Sequence, residues 1–269
     1  MAGAVARALD LLLPAGCVSC RTWMPRPDER DGAPICARCR SRLRIPGWPR
    51  CVRCHAPVGR RAEGGTELGD GACHECRSWP PALASARSAC ILAGPGAKLV
   101  HALKYEGWHE LAGFMGDRIA DVARRHPVVV HASSCREPGG CLTHSVRVTP
   151  VPTTPSRERI RGYNQAALLA QGVATALGVR LVPMLKRTAG RRSQIELEPG
   201  LRRANVRDVF APSSGISDAR RRDVLLVDDV LTTGATAVEA ASVLSDHGAR
   251  SVHLVSFARA LPKPDSTLP

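Results

Sequence analysis

Two neighbouring carboxylates, Asp228 and Asp229, stand between the apolar run 224–227 and the segment Thr232-Thr233-Gly234-Ala235-Thr236. Uninterrupted apolar residues suit a strand buried on both faces of a parallel sheet. The stretch AVEAASVLSDHGA that follows has helical spacing and a glycine stop. The expected unit is strand, loop, helix, with the strand ending at Asp228. Gly234 lets backbone approach a phosphate closely, the threonine hydroxyls add donors, and the helix start offers unpaired N–H groups and the positive end of its dipole. Two carboxylates would repel that phosphate, so Asp228 and Asp229 must face neutral hydroxyls or a metal ion. A phosphorylated sugar satisfies both halves. A buried strand with a polar turn would explain the apolar run, but not two acids followed by three threonines around a glycine. Walker-type nucleotide sites also end a strand in carboxylates. Their G-x-x-x-x-G-K-[ST] partner is absent from the chain, and the GPGAK of residues 94–98 lacks its spacing.

The second set of chemical residues is cysteine. Four C-x-x-C pairs follow one another: Cys17 and Cys20, Cys36 and Cys39, Cys51 and Cys54, Cys73 and Cys76. Each pair can form a knuckle with two thiolates on one side of a metal, and two knuckles complete a tetrahedral four-cysteine zinc site. Few large apolar residues lie between residues 16 and 79, so about two structural zinc ions would supply the folding free energy that a core cannot. Disulfides would require an export signal that the sequence does not display. Sequential sites, Cys17/Cys20/Cys36/Cys39 and Cys51/Cys54/Cys73/Cys76, are expected, with interleaved pairing as the alternative. His55 and His74 fall inside knuckles whose cysteine count is already complete, which makes them surface or supporting residues. A third metal site from Cys135, Cys141, His131 and His144 is conceivable, but their spacing is irregular and a mobile insertion is the better reading.

The elements that must position these groups follow from composition and periodicity. The 269 residues are 44% hydrophobic, enough for one sizeable α/β domain and a smaller module. Residues 1–15 form an expected amphipathic leader helix, too short and too soon interrupted by Asp10 and Pro14 to span a bilayer. This points to a cytoplasmic protein. Residues 16–79 are expected to be the double ribbon, 84–262 the α/β domain and 263–269 a disordered tail. Within the α/β domain, SARSACILAG reads as a strand, helical spacing flanks a break at 104–108 that holds Lys104 and Tyr105, and 128–145 reads as a surface loop after a strand. VRVTP reads as a strand running into a polar turn with Arg157, Arg159 and Arg161, and a long helix starts near Gln165. Residues 251–261 supply another parallel strand. Ligands in such sheets sit beyond the carboxyl ends of the strands, where Asp228 to Thr236 fall. The net charge of +14 favours an anionic partner, although the 3% aromatic content argues against extensive base stacking.

The segment VLLVDDVLTTGAT resembles the signature of type I phosphoribosyltransferases. That resemblance implies that Asp228 and Asp229, as the catalytic pair, hold the ribose hydroxyls of 5-phosphoribosyl 1-diphosphate (PRPP), and that Thr232, Thr233, Gly234, Ala235 and Thr236 hold its 5-phosphate. Over nearly the whole chain, the four cysteine pairs, the PVP turn and RGYNQ resemble the competence-associated ComF family. Its fold would be a type I phosphoribosyltransferase-like parallel sheet flanked by helices, behind an N-terminal double zinc ribbon. By the same resemblance Val151, Pro152 and Thr153 lie at the diphosphate loop, and Arg161 offers a planar guanidinium to diphosphate. Arg187, Thr188, Ser193, Gln194, Arg203 and Asn205 keep a family frame in which Glu196 replaces the usual glycine. The implied ligands are PRPP with Mg²⁺, and the implied partners are single-stranded DNA and a helicase-like competence protein. Three readings stay open: a phosphoribosyltransferase, a non-catalytic protein of DNA uptake, and a PRPP sensor.

Overall fold

The computed structural model describes residues 16–24, 32–58, 73–133, 145–188 and 209–261. The leader helix, Cys135, Cys141, His144, the stretch containing Ser193, Gln194, Glu196, Arg203 and Asn205, and the tail lie outside the described residues. In chain order the helices are α1 (Ala37–Ser41), α2 (Pro95–Tyr105), α3 (Leu111–Arg124), α4 (Pro127–Ser133), α5 (Pro155–Arg161), α6 (Gln165–Leu177) and α7 (Ala235–Asp246). The strands are β1 (Leu83–Ile91), β2 (Val146–Pro150), β3 (Arg180–Leu181), β4 (Leu185–Arg187), β5 (Phe210–Pro212), β6 (Asp223–Leu231) and β7 (Ser251–Arg259). Among the described residues, five strands form one sheet in the order β1-β7-β6-β2-β3, every pair parallel, while β4 and β5 pair antiparallel.

Alternation along β6 divides the core between two faces. Leu225 and Val227 pack with α2, α3, α6 and the first ribbon's Cys17, Ile35 and Cys39. Val224 and Leu226 pack with Ala240, Ala241 and Leu244 of α7 and with the second ribbon's Cys51, Cys54, Cys76 and Trp79. Each ribbon therefore covers a different face of the α/β domain. Helices α3 and α6 touch backbone to backbone, since a Cβ on Gly116 would lie 3.1 Å from the Gly172 Cα. No helix among the described residues is long and apolar enough to cross a membrane.

Three local expectations change. Strand β6 does not end at Asp228 but runs to Leu231, because β7 continues beside it and pairs Asp228 with Ser256 and Leu231 with Arg259. On its other edge β2 stops at Pro150, opposite Val227, and Pro152 has no N–H with which to extend the ladder. The crevice beside the two aspartates opens where that pairing ends. The residues around Val128 to Val130 form α4 rather than following a strand: Pro127 opens the helix, and buried Val129 packs into the core. The basic turn is also helical. Thr154 caps α5 by accepting from the Arg157 N–H at 3.3 Å, Pro155 starts it, and Gly162 ends it at φ +80°.

Candidate functional site

The eight cysteines gather as two sequential groups, Cys17/Cys20/Cys36/Cys39 and Cys51/Cys54/Cys73/Cys76, with the sulfurs of each group within 4.8 Å of one another. Sulfur separations of 3.7 Å for Cys20–Cys36, 3.6 Å for Cys51–Cys76 and 3.5 Å for Cys54–Cys73 match the edge of a tetrahedron with Zn–S bonds of about 2.3 Å. The donor set and its geometry fit zinc in both groups. His74 is exposed and His55 is half-buried against Arg87; neither belongs to a cysteine group.

At the carboxyl edge of the sheet lies a cleft of about 540 Å³. Asp228 and Asp229 line it from β6, Thr232 from the loop that follows, Thr236 from α7, and Val151, Pro152 and Thr153 from the segment after β2. The adjacent acids differ because successive strand residues face opposite ways. Asp229 lies on the Leu225/Val227 face and is 3% exposed. Its Oδ1 is 2.9 Å from the Lys104 Nζ, while its Oδ2 is buried with no hydrogen-bond partner. An orphaned carboxylate oxygen at a cleft fits a hydroxyl donor or a cation. The Asp228 Oδ1 accepts from the Asp229 N–H at 2.8 Å. Burial and then the Asp229 charge push the Asp228 carboxyl up to about 8.

The structure distributes the remaining sequence candidates unevenly. Arg161 does not line this cleft. It lies over the Tyr105 ring at 5.1 Å and donates to Gln165 Oε1 at 2.9 Å, lining a second hollow with Lys104, Arg157 and Tyr163. Among the described residues, Arg157 and Arg187 are the guanidinium groups in the cleft itself. Lys104 stands in the last turn of α2 rather than in a break, and tertiary packing brings it to the acids. Thr233 and Ala235 are exposed, and Gly234 is the buried N-cap of α7 at φ +85°. Sequence reasoning missed Trp79: its indole N–H donates to the Thr233 carbonyl at 3.2 Å, and a Cβ on Gly234 would lie 2.5 Å from its Cζ2. Only its place three residues beyond Cys76 hinted at such a role.

Comparison with known proteins agrees with this architecture. Residues 8–77 match the double zinc ribbon domain family, and residues 164–268 match the phosphoribosyl transferase domain family. The "DNA utilization protein YhgH" of Salmonella typhimurium is 29% identical over 84% of this chain and 97% of its own length. "Competence protein F" of Haemophilus influenzae is 34% identical over 44% of this chain and 54% of its own. Among solved structures, adenine phosphoribosyltransferase from Leishmania tarentolae aligns at a TM-score of 0.32 and 19% identity, covering 56% of this chain and 58% of that one. Fold and site thus define a double zinc ribbon joined to a type I phosphoribosyltransferase-like domain. The chain is similar to proteins called competence protein F, ComFC and YhgH.

Proposed function

We propose that the cleft binds PRPP, with Mg²⁺, as part of a ComF-like role in the use of imported DNA. One observation carries this reading. The acids Asp228 and Asp229 and the donors Thr232 and Thr236 line the same cleft as the Val151–Thr153 segment, Lys104, Arg157 and Arg187. The loop at Thr232–Thr236 would take the 5-phosphate, the acids the ribose hydroxyls, and the cations the diphosphate. Mg²⁺ would neutralise diphosphate charge, and the orphaned Asp229 Oδ2 suits a hydroxyl or that ion. Residues 16–79 serve in this reading as a structural double-zinc module, and 84–262 as the ligand-binding domain of a cytoplasmic protein.

The relatives' names attach them to DNA utilization and competence, and we extend that role to this chain. Single-stranded DNA and a helicase-like protein are the partners it suggests, held mainly through phosphate contacts by the basic surface. Calorimetric titration with PRPP, with and without Mg²⁺, tests the ligand. Mg²⁺-dependent binding without diphosphate release marks a sensor or DNA-uptake factor, release with an acceptor marks a transferase, and no binding of PRPP overturns the reading.

A further inference from the structure

We propose that the second zinc ribbon forms the floor of the phosphate loop, and that Trp79 is the positioning residue through which its metal sets phosphate affinity. This inference rests on the reading of Thr232–Thr236 as a phosphate site.

The contact between ribbon and loop is close on both sides. The Trp79 indole donates to the Thr233 carbonyl at 3.2 Å, and its ring fills the space where a Gly234 side chain would begin, with Cζ2 at 2.5 Å and Cε2 at 2.8 Å from an ideal Cβ. Gly234 is the N-cap of α7, and its carbonyl accepts from the Val238 N–H at 2.8 Å. The ring therefore supports the point where the loop turns into α7, whose first N–H groups have no acceptor within the helix.

Trp79 is in turn held by the knuckle. Its backbone N–H donates to the Cys76 carbonyl at 3.0 Å. The Arg53 guanidinium, one residue before Cys54, donates to the carbonyls of Cys76, Pro80 and Leu83 at 3.2, 2.8 and 3.0 Å. A second tie reaches the strand just before the loop. Arg259 is 1% exposed and pairs in register with Leu231; it donates to the Cys54 carbonyl at 2.9 Å and bonds Glu75.

The first ribbon makes no comparable contact among the described residues. It is anchored on α2, through the Lys98 Nζ donating to the Ser19 carbonyl at 2.7 Å and the Arg21–Glu106 pair at 3.2 Å, and on α3, through Arg40 over the Phe114 ring. The two metals should therefore be unequal. Loss of the second should loosen the phosphate loop, whereas loss of the first should leave it in place.

Ribose 5-phosphate is the probe, titrated by calorimetry into the full-length zinc-loaded protein. Trp79→Leu removes both the donor and the flat ring, and should weaken binding about tenfold or more while two zinc ions per chain remain. Trp79→Phe keeps the ring and should restore affinity to within about threefold of wild type. Ribose 5-phosphate should also shift the tryptophan emission of the wild type, and the shift should survive Trp48→Phe but vanish in Trp79→Phe. A purely structural role would not produce that signature. If Trp79→Leu sheds zinc, the emission test on Trp79→Phe decides. Wild-type affinity in zinc-replete Trp79→Leu, or an emission shift that persists in Trp79→Phe, overturns the inference and leaves the phosphate reading standing. Failure of the wild type to bind ribose 5-phosphate overturns both.

Discussion

The Lys104 ammonium lies 2.9 Å from the Asp229 carboxylate, although the two residues sit on different elements and Asp229 is almost fully buried. Both residues line the crevice that opens where β2 leaves β6. Lys104→Met should strand the carboxylate without its cation. Stability should fall by about 1–3 kcal/mol in urea denaturation, below the cost of breaking a fully buried pair because Lys104 is 21% exposed. Unchanged stability would mean that the pair carries no net weight.

The two halves of the cleft should fail differently. Asp229→Asn keeps shape and removes charge, so it should weaken Mg²⁺-dependent PRPP binding and leave ribose 5-phosphate nearly unaffected. Gly234→Val should abolish binding of both ligands and also destabilise the protein, since its φ of +85° disfavours a branched residue and its Cβ would meet Trp79. Calorimetry together with thermal melting distinguishes these outcomes. Equal loss of both ligands in Asp229→Asn would refute the division of labour.

Asp228 sets a pH dependence. Its carboxyl is pushed up to about 8 by burial and by Asp229, so a ligand that requires the ionised form must expel a proton below that pH. Affinity for PRPP with Mg²⁺ should rise from pH 6.5 toward about 8 and then level off, and Asp228→Asn should flatten the profile. Profiles of equal slope in wild type and variant would remove Asp228 from the site.

Zinc removal should unfold the ribbons rather than merely inhibit the protein. Elemental analysis should find about two zinc ions per chain, and chelation should abolish cooperative melting of 16–79. A ratio of one or none would contradict the geometry of the two cysteine groups.

A buried polar chain at the opposite edge of the sheet makes the fold acid-sensitive. The Ser85 Oγ bridges the His126 Nε2 at 2.8 Å and the His253 Nδ1 at 2.9 Å, and Ser251 connects His253 to Asp223. Burial lowers His126 to about 3, with the neighbouring His253 adding to it, and burial lowers His253 to about 4. The unfolded chain takes up these protons first as pH falls through about 6.5. The stabilisation is therefore complete above that value and is lost progressively toward pH 4. Urea midpoints measured between pH 7 and 4.5 should fall, and His126→Gln should make the slope shallower.

The sequence by itself determined the parts whose chemistry is local. Four C-x-x-C pairs dictate two thiolate groups because each knuckle spans only a few residues. The run from Val224 to Thr236 specifies strand, loop and helix because apolar pattern, glycine and helical spacing lie next to one another. The glycine at 234 was legible, but one of its reasons was not: beyond phosphate approach, it leaves room for Trp79, 155 positions earlier in the chain. Tertiary structure alone decided that β6 continues to Leu231, because a neighbouring strand supplies its hydrogen bonds. Packing across the sheet likewise brought Lys104 to Asp229, placed Arg157 in the cleft in preference to Arg161, and seated the second ribbon against the loop. Such contacts depend on which faces of distant elements bury one another, and no short window of residues encodes that choice.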